Sequence, residues 1–314
     1  MKGIIPILAT PFYDDERLDL ESLTRLIEFM ATLGVDGVTV LGVLGESNRL
    51  YDEERGAVVK TAVAAARKRF PVIVGTSHTG TGVVQHYSRI AQDLGADAVM
   101  VTPAKEAVPD DDRIVDSFRR IADGLSIPIV LQDHPASSEV HMSAPLMLRL
   151  VQEVPRIRCI KEEAVPTAPK IRKLREGSHE IPILTGLGAL YAPFDLEAGS
   201  DGFNTGFAFP EVLRSMLVAA SRGDWKRVYE VYSWFSPLII FEQQPGVAIR
   251  KQLLHRRGLI KSNRARHPGA SITAAVACQL ERILEQTLPG VDITSPIDIE
   301  RISMFGTPLA AEQM

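Results

Sequence analysis

Lys161 closes the run RCIKEE directly after Cys159 and Ile160. A lysine at the end of an apolar strand is disfavoured as an ammonium ion, so its pKa falls and its amine is freed to attack a carbonyl. The same position also suits a lysine paired with Glu162 or Glu163 on a rim. A second feature is the loop LGVLGESNRL, from Leu41 to Leu50, with glycines at 42 and 45. Its consecutive amides offer a cradle for a carboxylate at Val43 and Leu44, or simply a turn. In IVLQDHP, strand alternation sets Gln132 and His134 on one face and Asp133 on the other. Gln132 donates and accepts hydrogen bonds without titrating. His134 is then the candidate general acid/base near neutral pH, or a loop histidine that only packs. Asn204, in GFNTGFAF, offers a carboxamide to a substrate or satisfies buried backbone groups. His78, which closes another apolar run, carries no assignment.

These residues need a scaffold that brings strand ends together. Eight short runs rich in Val, Ile and Leu begin at Gly3, Gly37, Pro71, Ala98, Pro128, Arg158, Pro182 and Gly202, and amphipathic segments separate them. Near-continuous apolar runs suit strands buried on both faces, as in parallel sheets. The segment DLESLTRLIEFMATLG puts Leu23, Leu26, Ile27 and Met30 on one helical face and stops at Gly34. The phrases GVDGV, GADAV and GSDGF, at Gly34, Gly95 and Gly199, repeat one helix-to-strand turn. The pattern predicts a (β/α)8 TIM barrel over residues 1–223, followed by a C-terminal helical region over 224–314. A doubly wound sheet is the alternative. In a barrel the functional residues sit at the C-terminal strand ends, where Lys161, Gln132 and Asn204 fall.

Composition narrows the function. A chain with 45% hydrophobic residues and a net charge of −4 is a globular protein with no general attraction for nucleic acid or anionic lipid. The basic stretch HRRGLIKSNRARH lacks interleaved aromatics. Neither Cys159 nor Cys278 sits in a CxxC or Cys/His spacing, and no His/Asp/Glu set closes neighbouring strands, so neither a metal nor a cofactor is expected. The apolar beginning contains prolines and reads as a strand rather than a signal peptide. No run approaches the ~20 apolar residues of a membrane span, and a cytoplasmic location is expected.

The order of these motifs resembles the dihydrodipicolinate synthase and N-acetylneuraminate lyase family. The likeness rests on ATPF at Ala9, the glycine loop ending in Gly45 and Glu46, VTP at Val101, Pro135, IKE at Ile160 and the segment QPGVAIRKQLLHRRGLI. It implies a class I, aldolase-type lyase in which Lys161 forms a Schiff base with pyruvate or another 2-oxo acid, within a homotetramer or homodimer. Condensation, cleavage and dehydration share that intermediate. The departures are specific. Val43 and Leu44 stand where the family has hydroxyl residues, Gln132 where it has a tyrosine, Ala104 and Lys105 at another tyrosine, and Ser137 at an arginine. On strand eight, Asn204 and Thr205 replace apolar and small residues. A catalytically inactive metabolite-binding barrel is the competing reading, because function lies in the site and not in the fold.

Overall fold

Parallel strands form where the chain carries unbroken branched apolar residues, and a computed structural model of the protein describes residues 1–108, 110–244 and 246–305. The strands are β1 (Gly3–Ile4), β2 (Val38–Val40), β3 (Val72–Gly75), β4 (Ala98–Val101), β5 (Ile129–Asp133), β6 (Ile157–Glu162), β7 (Ile183–Thr185) and β8 (Gly202–Phe203). Between them lie α1 (Leu20–Thr32), α2 (Asp52–Ala66), α3 (Thr81–Asp93), α4 (Asp111–Ala122), the single turn α5 (Pro135–Ser138), α6 (Ala144–Glu153), α7 (Thr167–Gly177) and α8 (Ala192–Glu197). After β8 come α9 (Pro210–Ser221), α10 (Trp225–Glu242), α11 (Ala248–Arg256) and α12 (Ala274–Thr287). Positions 306–314 of the expected helical region lie outside the described residues.

The sheet runs β1-β8-β7-β6-β5-β4-β3-β2, all parallel, and is no open doubly wound sheet. It curls until its edges meet. Ile7 bridges Thr39, Leu8 N–H donates to the Thr39 carbonyl at 2.8 Å, and Thr39 N–H donates to the Pro6 carbonyl at 2.8 Å. The first strand is far shorter than its apolar run, because Pro6 has no N–H to give to a ladder. Asn204 strengthens this seam from the β8 side, donating from Nδ2 to the Ile5 carbonyl at 2.8 Å and to Thr39 Oγ1 at 2.9 Å.

Two apolar layers hold the barrel. Ile5, Ile73, Met100, Val130, Cys159 and Leu184 fill its interior. A larger cluster lies between sheet and helices and extends without a break to Val228, Phe235, Leu253 and Leu280 of the later helices. In α1 the buried apolar residues are Leu23, Leu26, Ile27 and Met30, the face marked by the sequence, and Asp19 caps its start by accepting from Ser22 N–H at 2.9 Å. The repeated turn also has a physical job. Its glycines adopt positive φ, at 64° for Gly34, 92° for Gly95 and 103° for Gly199. Two residues later an aspartate reaches sideways: Asp36 accepts from Ile4 N–H, Asp97 from Val72 N–H and Asp201 from Ile183 N–H, at 2.8 to 2.9 Å. Each carboxylate thus satisfies an amide of the neighbouring strand near the floor of the barrel.

The outer face of the β5–β6 pair carries a buried acidic couple. Asp133 and Glu162 are register partners, and Lys170 of α7 ion-pairs with Asp133 and stands 3.7 Å from Glu162. Burial, then the Asp133 charge, pushes the Glu162 carboxyl up to about 9. An unfolded glutamate ionises near 4.5. The folded state therefore holds an extra proton between those values, and stability falls as pH rises through that window. Glu162→Gln, neutral at every pH, is expected to flatten the loss of Tm between about pH 6 and about pH 9. Parallel melting curves for the two proteins across that range check this; a fall as steep in the variant would contradict it.

Candidate active site

The β5–β6 register sets Gln132 beside Lys161, directly above Val130 and Cys159. Alternation turns both side chains into the barrel, while Ile160 and Glu162 face the helices. Lys161 is only 1% exposed. One residue past β6, the same alternation brings Glu163 back over the barrel mouth. Its Oε2 lies 2.8 Å from Lys161 Nζ and accepts from Gln132 Nε2 at 2.7 Å. Its Oε1 accepts from Leu187 N–H at 3.1 Å, in the loop after β7. Gly186 makes that approach feasible, because a Cβ there would stand 2.0 Å from Oε1. Leu187 and Ala189 hold positive φ of 50° and 67°, strain that the loop sustains beside this carboxylate.

Lys161 is therefore paired with Glu163, as its simpler reading allowed, but inside the barrel rather than on its rim. Burial lowers the Lys161 pKa, and the Glu163 charge opposes that shift. For Glu163 burial acts upward, but the charges of Lys161 and His134 and the bonds from Lys161 and Gln132 outweigh it and hold the carboxyl below its usual value. The pair can exchange one proton over 2.8 Å. That leaves an amine able to attack a carbonyl next to a group able to take up a proton.

His134 lies one step outside this trio. It precedes the α5 turn, half-buried, with Nδ1 2.7 Å from Ser137 Oγ. Burial lowers its pKa, and the charges of Glu163 and Lys161 both act on it, so it sits within electrostatic reach of the pair. Val43 and Leu44 open a 3₁₀ turn from Val43 to Gly45. The amides of Gly45 and Glu46 close that turn onto Gly42 and Val43. Those of Val43 and Leu44 come first and have no place in its ladder, which leaves them for an acceptor from outside. The Val43 side chain is 55% exposed, whereas Leu44 is half-buried and turned toward Gly206. Asn204 spends its Nδ2 on the seam, while its buried Oδ1 has no partner among the described residues and is left to accept from outside.

The loop owes its shape partly to residues far away in the chain. Thr10 Oγ1 donates to the Gly45 carbonyl at 2.6 Å. Glu46, at φ 52°, is gripped by Lys251 at 2.5 Å, by Arg49 at 2.6 Å and by the Arg266 amide at 2.9 Å. A cavity of about 540 Å3 lies elsewhere, between α4 and the loops after β3 and β4, lined by His78, Thr102, Lys105, Ile114 and His141. It holds neither Lys161 nor Glu163, and size alone does not make it the reacting centre. Among the described residues no cluster of His, Cys, Asp or Glu is arranged to hold a metal, and no helix is long and apolar enough to cross a membrane.

A curled parallel sheet with a buried lysine at the end of its sixth strand belongs to the class of barrel lyases. The chain is a member of the dihydrodipicolinate synthetase family, whose model it matches over residues 1–287. It is 37% identical to L-2-keto-3-deoxyarabonate dehydratase of Azospirillum brasilense over 274 residues, 85% of this chain and 88% of that one. It is 28% identical to 4-hydroxy-tetrahydrodipicolinate synthase of Chlorobium chlorochromatii over 268 residues, 84% and 90% of the two chains. Among solved structures, dihydrodipicolinate synthase from Rhodopseudomonas palustris superposes with a TM-score of 0.87 at 34% identity, covering 91% of this chain and 97% of the other. A prophage protein of the same family from E. coli, in complex with pyruvate, gives 0.84 at 26% identity, covering 91% and 98%. The protein is accordingly an enzyme of the lyase type.

Proposed function

We propose that the protein dehydrates a 2-keto-3-deoxy sugar acid through an imine on Lys161. The observation that carries this reading is the Glu163 carboxylate, held by Gln132 and Leu187 and 2.8 Å from Lys161 Nζ. The amine attacks the C2 carbonyl and expels water, giving an iminium that draws electrons from C3. Glu163, beside the nitrogen, takes a proton from C3 and leaves an enamine. The enamine expels the C4 hydroxyl, which leaves as water with a proton returned by Glu163 or supplied by His134. Hydrolysis of the remaining imine frees Lys161, so the balance is the loss of one water.

A retro-aldol cleavage needs a base at the C4 hydroxyl instead. Gln132, in the place of the family's tyrosine, carries no titrating group for that task. The 37% identical relative named as a 2-keto-3-deoxy acid dehydratase supports the same choice. Two measurements test it. Borohydride added with pyruvate should leave a reduced adduct on the peptide containing Lys161, found by mass spectrometry. A 2-keto-3-deoxypentonate should give a product lighter by one water with no free pyruvate. Pyruvate release would make the enzyme an aldolase, and a folded protein that forms no adduct with any 2-oxo acid would fit the inactive, metabolite-binding reading.

A further inference from the structure

Behind the glycine loop lies a buried cation that the reaction above does not use. Arg250, on α11, is 3% exposed, and its Nε is ion-paired with Glu242 of α10. Glu242 is itself fastened by accepting from Ala208 N–H at 3.1 Å. This holds one edge of the guanidinium. The other edge points toward the end of β8, where Nη1 is buried and has no hydrogen-bond partner among the described residues. A Cβ on Gly206 would lie 2.5 Å from Nη1 and 2.5 Å from Leu44 Cδ1, so the guanidinium, the bare glycine and the loop leucine meet at one point. The Arg250 charge also reaches Lys161, where, after burial, it adds to the lowering of the amine's pKa.

A buried donor without an acceptor is costly, and a charged one more so. Here it stands beside a loop whose first two amides lie outside its own 3₁₀ ladder and whose side chains, Val43 and Leu44, offer no hydroxyl. We propose that Arg250 is the carboxylate anchor of this enzyme: the C1 carboxylate of the 2-oxo acid, with Leu44 turned aside, sits between Nη1 and the Val43 and Leu44 amides. This deepens the imine reading and rests on it. Glu242 fixes the Nε edge and so orients the guanidinium, which leaves the Nη1 donor facing an acceptor on the other side. Gly206 is what makes room, since any side chain there would take the place of the guanidinium edge.

The test compares pyruvate with methyl pyruvate, its uncharged ester, in borohydride trapping on Lys161. Arg250→Lys keeps a cation for Glu242 but loses the fork, and the double variant Arg250→Gln with Glu242→Gln removes both charges together. In each variant half-saturation by pyruvate should rise by about ten- to a hundredfold, while that by methyl pyruvate stays within about twofold of the parent protein. Trapping of the ester shows that the variants are folded with a working amine. Pyruvate half-saturation unchanged in a variant that traps the ester overturns the anchor and leaves the imine intact, as does an equal loss for both compounds. A parent protein that traps neither compound overturns the imine reading and the anchor with it.

Discussion

Lys161→Ala is expected to lower turnover by about ten-thousandfold or more and to abolish the borohydride adduct, because among the described residues no other lysine closes a strand inside the barrel to form the imine. The fold should survive. Glu163 loses its ammonium partner, but its carboxylate keeps the bonds from Gln132 and Leu187. A buried carboxyl that has lost its countercharge can also take up a proton rather than unfold the chain. The variant should therefore melt cooperatively, with the Glu163 pKa raised. Circular dichroism and mass spectrometry of the borohydride-treated protein decide the matter. A persistent adduct on another peptide would move the nucleophile away from β6.

The second large effect falls on Glu163. Glu163→Gln keeps the shape of the side chain but removes the base, so kcat should fall by about a hundred- to ten-thousandfold. Adduct formation should respond in the opposite direction. The Glu163 charge opposes the lowering of the Lys161 pKa by burial, and removing it lets the ammonium lose its proton at lower pH. The variant should thus form the borohydride adduct at least as readily as the parent protein near neutrality, with the rising limb of its pH profile displaced toward acid. Loss of turnover with retained adduct separates a base from a group that merely holds the lysine in place. If turnover and adduct formation fall together, the carboxylate acts on imine formation, and proton removal at C3 belongs to another group, with His134 next in reach.

Much of this site was legible before the fold. Lys161 was marked by one charged residue closing an apolar strand, and Gln132 by alternation along β5. Glu163 obeys the same rule, two residues beyond Lys161, but the doublet Glu162–Glu163 looked like a solvated rim. Asymmetry decides it: Glu162 packs outward with Asp133 and Lys170, while Glu163 folds back over the mouth. The same alternation points to His134, and the structure holds it against Ser137 at the start of a one-turn helix that no apolar period announces. Asn204 sat on the expected strand, yet its direction depended on where the seam closes.

The sequence by itself determined the order of strands and helices, the glycine-stopped turns and the lysine, because each follows from local period, backbone freedom or the chemistry of one residue. What only the tertiary structure decided is which distant groups share a few ångströms of buried space. Lys251 and Arg266 grip Glu46 from more than two hundred residues away, Leu187 holds Glu163 from another loop, and Arg250 reaches the glycine loop past Gly206. No periodicity encodes those meetings. They arise when the sheet closes and the helices after β8 pack against it, and buried charges must then find partners across the chain because water is no longer there to supply them.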